Sequence, residues 1–145
     1  MSERTVFQSI SRKHVTCLGP QASARDAACV MTRANCGSVL VMDLPDTLLG
    51  ILTERDLMTR VLARGLDPDR TAVHEVMTPN PICVPSETLV SDAVVLMLER
   101  GFRHLPLLSG TRILGVFSMR DALPREIGTA LSQAEFNEQV KDVLG

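Results

Sequence analysis

The sequence predicts an α/β chain of two β-α-β-β-α repeats packed about a pseudo-twofold axis, with one further helix at the C-terminus. Three observations carry that expectation. The chain is written twice: "VTCLGPQASARDAACVM" aligns with "PICVPSETLVSDAVVLM" 66 residues later, matching Cys17 with Cys83, Asp26 with Asp92, Ala27 with Ala93 and Met31 with Met97. After a one-residue deletion the offset is 65, which matches Leu40 with Leu105, Gly50 with Gly115, Arg55 with Arg120 and Asp56 with Asp121. Within each copy, one stretch of helical period is followed by two short apolar runs that read as strands. Finally, 145 residues with 45% hydrophobic content can build a core, whereas a single repeat is too small to cover its own apolar surface.

Each repeat opens on a short strand, Val15 to Leu18 or Ile82 to Val84, and a turn rich in Pro, Ser, Gly or Glu. A helix follows over Ser23 to Ala34, or Val90 to Arg100. Ala27, Val30 and Met31, or Ala93, Leu96 and Met97, share one face. Next come "SVLVM" and "LLGIL" in the first repeat and "HLPLL" and "ILGVF" in the second, joined by the hairpin turns "DLPDT" and "SGTR". These strands are apolar enough to need cover on both faces. A second helix is long in repeat one ("RDLMTRVLARG") and cut short in repeat two by Pro124. The repeats run over 9–65 and 74–124. The connector "LDPDRTAVHEVMTPNP" is polar and Pro-punctuated, as befits a surface link. Residues 125–145 form a helical extension in which Ile127, Leu131, Phe136, Val140 and Val143 are spaced roughly for one apolar face, to cap the pair or meet a second subunit.

Composition narrows the function. A net charge of −2 with both signs interspersed, no Trp or Tyr and four Phe provides neither a basic stripe nor stacking platforms, so nucleic acid is not an expected partner. No apolar run is long enough for a signal peptide or a membrane span, which predicts a cytoplasmic chain. Cys17, Cys29, Cys36 and Cys83 sit among small or apolar neighbours without metal-ligand spacing and read as buried free thiols. His14 and Cys17 lack further ligands at suitable spacing, so no metal is expected. His14, His74 and His104 accompany no nucleophile signature, so no catalytic residue is assigned. Met58, Met77, Met97 and Met119 read as core or pocket lining.

Two short motifs carry the chemistry. "GILTERD" (Gly50 to Asp56) and "GVFSMRD" (Gly115 to Asp121) both place a hydroxyl, then a carboxylate three residues on, at a strand-to-helix junction. One reading is a variant capping box, the hydroxyl accepting from a free backbone N–H. The other is a nucleotide clamp: the helix start and hydroxyl attract phosphate, and the carboxylate accepts from the two hydroxyls of a ribose. The same residues serve either.

With "GILTERDL", "DPDRTAVHEVMTPNP", "LMLERGFRHLPLL" and "ILGVFSMRDAL" in this order and duplicated, the chain from about Ser9 to Leu123 resembles the tandem CBS-domain pair, or Bateman module. The resemblance implies a non-catalytic regulatory module that binds AMP, ADP, ATP, NAD(H) or S-adenosylmethionine derivatives in clefts between the repeats. It also implies a head-to-head, disc-shaped homodimer. AMP or ATP is the expected regulatory ligand, and no cofactor is required. The family's pattern of an apolar residue, Ser/Thr and Asp maps onto Ile51, Thr53 and Asp56 and onto Val116, Ser118 and Asp121. By the same resemblance, Ile82, Phe102, Arg103, His104 and Pro106 complete the cleft of Asp56, and Thr16, Gly37 and Ser38 that of Asp121. Arg103 and His104 offer phosphate contacts that Ser38 and Val39 do not, which favours the Asp56 cleft for phosphate. Arg55 and Arg120 read first as surface charges, within reach of phosphate on the binding reading. Rival readings are an assembly module with vestigial clefts that docks an unidentified protein, and a small nucleotide-acting enzyme with His104 as base.

Overall fold

Thr5 and Gln8 close a reciprocal capping box around a single helical turn, α1 (Val6–Ser9): Gln8 N–H donates to Thr5 Oγ1 at 3.2 Å, and Thr5 N–H to Gln8 Oε1 at 2.9 Å. This turn sits in the same compact unit as the second repeat. In the computed structural model, residues 3–11, 15–43 and 46–144 are described, and the chain divides into His14–Ile82 and a second unit made of Met1–Lys13 with Cys83–Gly145. His14, and Leu44 and Pro45 of the first hairpin turn, lie outside the described residues.

In the unit His14–Ile82, β1 (Cys17–Leu18) runs parallel to β2 (Ser38–Asp43), which pairs antiparallel with β3 (Thr47–Thr53). Between β1 and β2, helix α2 (Ala24–Ala34) starts at Ser23, whose side chain accepts from Asp26 N–H, and ends where Asn35 turns left-handed (φ 51°). Its inner face, Ala24, Ala27 and Met31, packs with Val39, Val41, Leu52 and Val61, and Val30 packs partly buried against them. After β3 comes a helical turn, α3 (Glu54–Asp56), that widens over Leu57–Leu62 into i→i+5 bonding; Ala63 N–H, for instance, donates to Met58 O at 2.9 Å.

The connector is more than a surface link. Val73 and Val76, on the short helix α4 (Val73–Val76), are core residues of this unit, and Thr71 is buried. β4 (Thr78–Pro79) then adds a fourth strand beside β3, giving the order β1-β2-β3-β4. Two valines among polar neighbours carry too little period to be seen as core in the sequence. β4 also explains Gly50: a Cβ there would stand 2.7 Å from Thr78 O and against the Met77 side chain, so only glycine admits the approach.

In the second unit, β5 (Val84–Pro85) runs parallel to β6 (His104–Ser109), itself antiparallel to β7 (Arg112–Ser118). Helix α5 (Val90–Arg100) ends at Gly101 in the left-handed region (φ 79°). Val6 and Ile10 join Val84, Val90, Val94, Met97, Leu105, Leu107 and Phe117 in one core. The second motif forms a single 3-10 turn, Met119–Asp121. Pro124 then opens the long helix α6 (Pro124–Leu144), a first position that suits a residue with no N–H.

Three expectations need correction. The apolar residues of α6 do not form one buried face: Ile127 is half-buried, Leu131, Phe136 and Val140 are exposed and Val143 is 83% exposed, because the steps of four, five, four and three residues from Ile127 onward walk around the helix. The inward stripe is Glu126 and Ala130, followed by half-buried Ala134 and Asn137. Asn137 Nδ2–H donates to Glu99 Oε1 of α5 at 3.0 Å. All four cysteines are free, but Cys17 and Cys29 are exposed and Cys36 and Cys83 intermediate. Cys29 falls on the face of α2 opposite Ala27. Met97 is core in the second unit, where Met119 is partly buried beside that core, and Met77 packs partly against the separate core of the first unit, whereas Met58 is 56% exposed.

Candidate functional site

Thr53 ends β3, directly across from Ser38, and its geometry is that of a cap. Asp56 N–H donates to Thr53 Oγ1 at 3.2 Å, and Thr53 N–H donates back to Asp56 Oδ2 at 2.9 Å. The second motif repeats the reciprocal half of this: Ser118 ends β7 across from His104, and its N–H donates to Asp121 Oδ2 at 2.9 Å. Each turn is also bonded to the residue just before the partner strand of its hairpin, Glu54 N–H to Gly37 O ahead of β2 at 3.0 Å and Met119 N–H to Arg103 O ahead of β6 at 3.1 Å.

The predicted site residues therefore fall into two sets, one in each unit. In the first, Thr16 O accepts from Leu40 N–H at 3.0 Å, Gly37 directly precedes β2 and Ser38 begins it, and Ile51, Thr53, Arg55 and Asp56 make the motif; Ser38 and Ile51 are buried and Arg55 is exposed. Ile82 is the last residue of this unit and is 40% exposed, outside any strand. In the second set, Phe102 packs partly buried on the core, Arg103 is exposed, His104 half-buried and Pro106 buried opposite Val116; Ser118, Arg120 and Asp121 follow, with Arg120 exposed. Within its own unit, each turn thus meets the strand start that the resemblance assigns to the other turn.

Three residues around the turns had gone unseen in the sequence. Arg60, one helical turn beyond Asp56, brings Nε to 3.7 Å from Asp56 Oδ1 and donates from Nη1 to Val76 O (3.1 Å) and Met77 O (3.0 Å). The i, i+4 spacing was the available signal. Arg4 and Glu126 pair beside the second turn: Arg4 Nη2 to Glu126 Oε1 is 2.8 Å and Nε to Oε2 is 3.1 Å. At 122 residues apart they leave no local signal. The hydrogen bond from Arg4 holds the Glu126 carboxyl below the usual glutamate range against the opposing effect of burial.

The hydroxyl-x-x-Asp pattern also occurs a third time, at Ser23 to Asp26, with the same two hydrogen bonds (3.0 and 3.1 Å). There it caps α2 away from any strand end. The cap geometry alone therefore does not mark a site; what sets the two motifs apart from Ser23 is their position at the end of a hairpin, repeated in both units. Among the described residues, no group of three His, Cys, Asp or Glu could hold a metal ion, and no helix is long and apolar enough to cross a membrane.

Both halves carry a match to one family: the CBS-domain model fits residues 7–63 and again 73–126. The chain belongs to the CBS-domain family. A CBS domain-containing protein of Arabidopsis thaliana is 36% identical over 141 residues, covering 91% of this chain, which spans 26% of that longer protein. Among solved structures, a CBS-domain containing protein from Agrobacterium tumefaciens superposes with a TM-score of 0.74 at 28% identity, covering 81% of this chain and 94% of that one. A hexameric CBS-CP12 protein from bloom-forming cyanobacteria gives a TM-score of 0.77 at 25% identity, over 85% of this chain and 71% of the other. Two CBS domains on one chain make a regulatory or signalling module.

Proposed function

We propose that this CBS pair is a non-catalytic sensor of adenine nucleotides, AMP or ATP foremost, and that the motif turns at Asp56 and Asp121 hold the ribose of each ligand. The observation that carries this reading is the recurrence, in both units, of a carboxylate fixed by the backbone N–H of a strand-terminal Thr or Ser. A carboxylate so oriented accepts from two vicinal hydroxyls without reorganising, which is the economy of a preformed site. Arg103, exposed, and His104, at the start of β6, supply a cationic and a hydrogen-bonding contact to phosphate respectively. The ligand signals by favouring one arrangement of the module, which requires unequal affinity for the two arrangements. The CBS-CP12 neighbour is hexameric, and we expect this chain to self-associate, as a homodimer.

The test is calorimetric titration of AMP, ADP, ATP and NADH into the wild type, Asp56→Ala and Asp121→Ala. Each substitution should remove one class of binding site. Affinities too weak to measure, or left unchanged by both substitutions, would contradict the proposal. The exposed Phe136, Val140 and Val143 on α6 favour a second reading, a module that docks a protein. It predicts an assembly state that is indifferent to nucleotide and sensitive to Phe136→Ser.

A further inference from the structure

A helical turn that stops after three residues leaves its carbonyls without the N–H groups of a following turn. The first motif has no such deficit, because α3 runs on into Leu57–Leu62. The second does. Its 3-10 turn ends at Asp121, and Pro124 allows no continuation. The carbonyl oxygen of Asp121 accepts instead from Arg4 Nη2, at 3.0 Å, a residue 117 positions away.

The guanidinium that makes this bond is itself fixed. Arg4 forks onto both oxygens of Glu126, whose carboxylate is 9% exposed and also accepts from Leu123 N–H at 2.7 Å, closing the start of α6. The Arg4 backbone is held too: its carbonyl accepts from Val90 N–H at 3.0 Å, Val6 N–H donates to Thr88 O at 2.8 Å, and Val6 and Ile10 are buried in the core of this unit. One side chain therefore connects the N-terminal arm, the first turn of α6 and the backbone of the residue whose carboxylate forms the second motif. An ammonium in its place would lack the planar fork that satisfies three acceptors at once.

We propose that Arg4 is a positioning residue for the second ligand turn, so that nucleotide affinity at Asp121 depends on the docked N-terminal arm while affinity at Asp56 does not. The consequence for binding rests on the functional reading above; the grip on the turn does not. By reciprocity, ligand at Asp121 tightens the arm by the same factor as the arm tightens the ligand. Displacing the arm then switches one of two otherwise similar sites.

Amide exchange read by mass spectrometry on the full chain tests the grip without ligand. Arg4→Gln should speed exchange over Met119 to Leu123 about tenfold and leave Glu54 to Leu57 within about twofold of wild type. AMP titration tests the consequence in two backgrounds. With Asp56→Ala, adding Arg4→Gln should weaken AMP about tenfold; with Asp121→Ala, the same change should have an effect within about twofold. Unaltered exchange at Met119 to Leu123, or equal weakening in both backgrounds, would overturn the proposal. If AMP binds neither background, the functional reading fails and the exchange result alone decides the grip. Should Arg4→Gln not fold, Arg4→Lys keeps the charge beside Glu126 without the fork and should speed exchange at the turn about threefold. A wild-type rate there would overturn the proposal equally.

Discussion

The turn at Thr53 to Asp56 and the turn at Ser118 to Asp121 share sequence pattern, strand register and the Asp-to-backbone hydrogen bond, yet they are supported by different means. The first is carried by the helix it starts, with Arg60 joining Asp56 to the carbonyls of Val76 and Met77. The second starts no continuing helix and is carried by Arg4, from the far end of the chain. A duplicated motif thus fixes the local bond and leaves its support to whatever sequence follows. In repeat one that is "LMTRVLARG"; in repeat two it is "ALPRE".

The largest effects belong to the residues that hold each turn onto its core. Leu52 and Phe117 occupy equivalent positions just before the motif hydroxyls, and both are fully buried. Truncation should cost about 2–5 kcal/mol for Leu52→Ala and about 3–5 kcal/mol for Phe117→Ala, measured by denaturant unfolding. Each should destabilise its own unit first, and uniform loss of protection over both units would erase the distinction between them.

Next come the two arginines. Arg4→Gln removes the guanidinium paired with the buried Glu126 carboxylate, leaving it the Leu123 N–H, and should cost about 2 kcal/mol near neutral pH. Arg60→Gln, at a half-exposed residue with its nitrogen 3.7 Å from Asp56, should cost at most about 1 kcal/mol through its ion pair. The pH dependence follows from Glu126. Its folded pKa lies below the ordinary value of 4.5, so the stabilisation is fully present above that value and is lost as pH falls through the folded pKa. Urea midpoints for wild type and Arg4→Gln should therefore converge as pH is lowered from about 4.5, by linkage. A gap that stays constant down to acid unfolding would mean that Glu126 is not the partner that matters.

The smallest effects separate cap from clamp. Thr53→Ala and Ser23→Ala each remove a capping hydroxyl and should each cost about 1 kcal/mol. Only Thr53→Ala should also weaken AMP. Equal indifference of AMP to both substitutions would reduce the first motif to a cap.

Much of this was legible in the sequence for identifiable reasons. The repeat fixed the hairpins and α2 and α5, because strand and helix periods recur at a constant offset and Ser23 and Gly101 mark helix ends. Asp56 and Asp121 were legible as a pair because duplication picked them out. What escaped depends on tertiary neighbours. Val73 and Val76 become core only because β4 returns beside β3. The apolar residues of α6 look amphipathic in a list of spacings, yet alanines and Glu126 make the buried stripe, since close packing on α5 favours small side chains. Cys29 faces outward because Ala24, Ala27 and Met31 already occupy the inner face of α2. No local rule places Arg4 at the motif 117 residues away.

The most direct measurement follows the backbone amides of Thr53, Ser118 and Ser23 by NMR during titration with AMP. All three donate to a capping carboxylate, of Asp56, Asp121 and Asp26 respectively. The account predicts that the Thr53 and Ser118 resonances move with saturation while Ser23 stays fixed. Stationary Thr53 and Ser118, or a Ser23 shift of equal size, would contradict it.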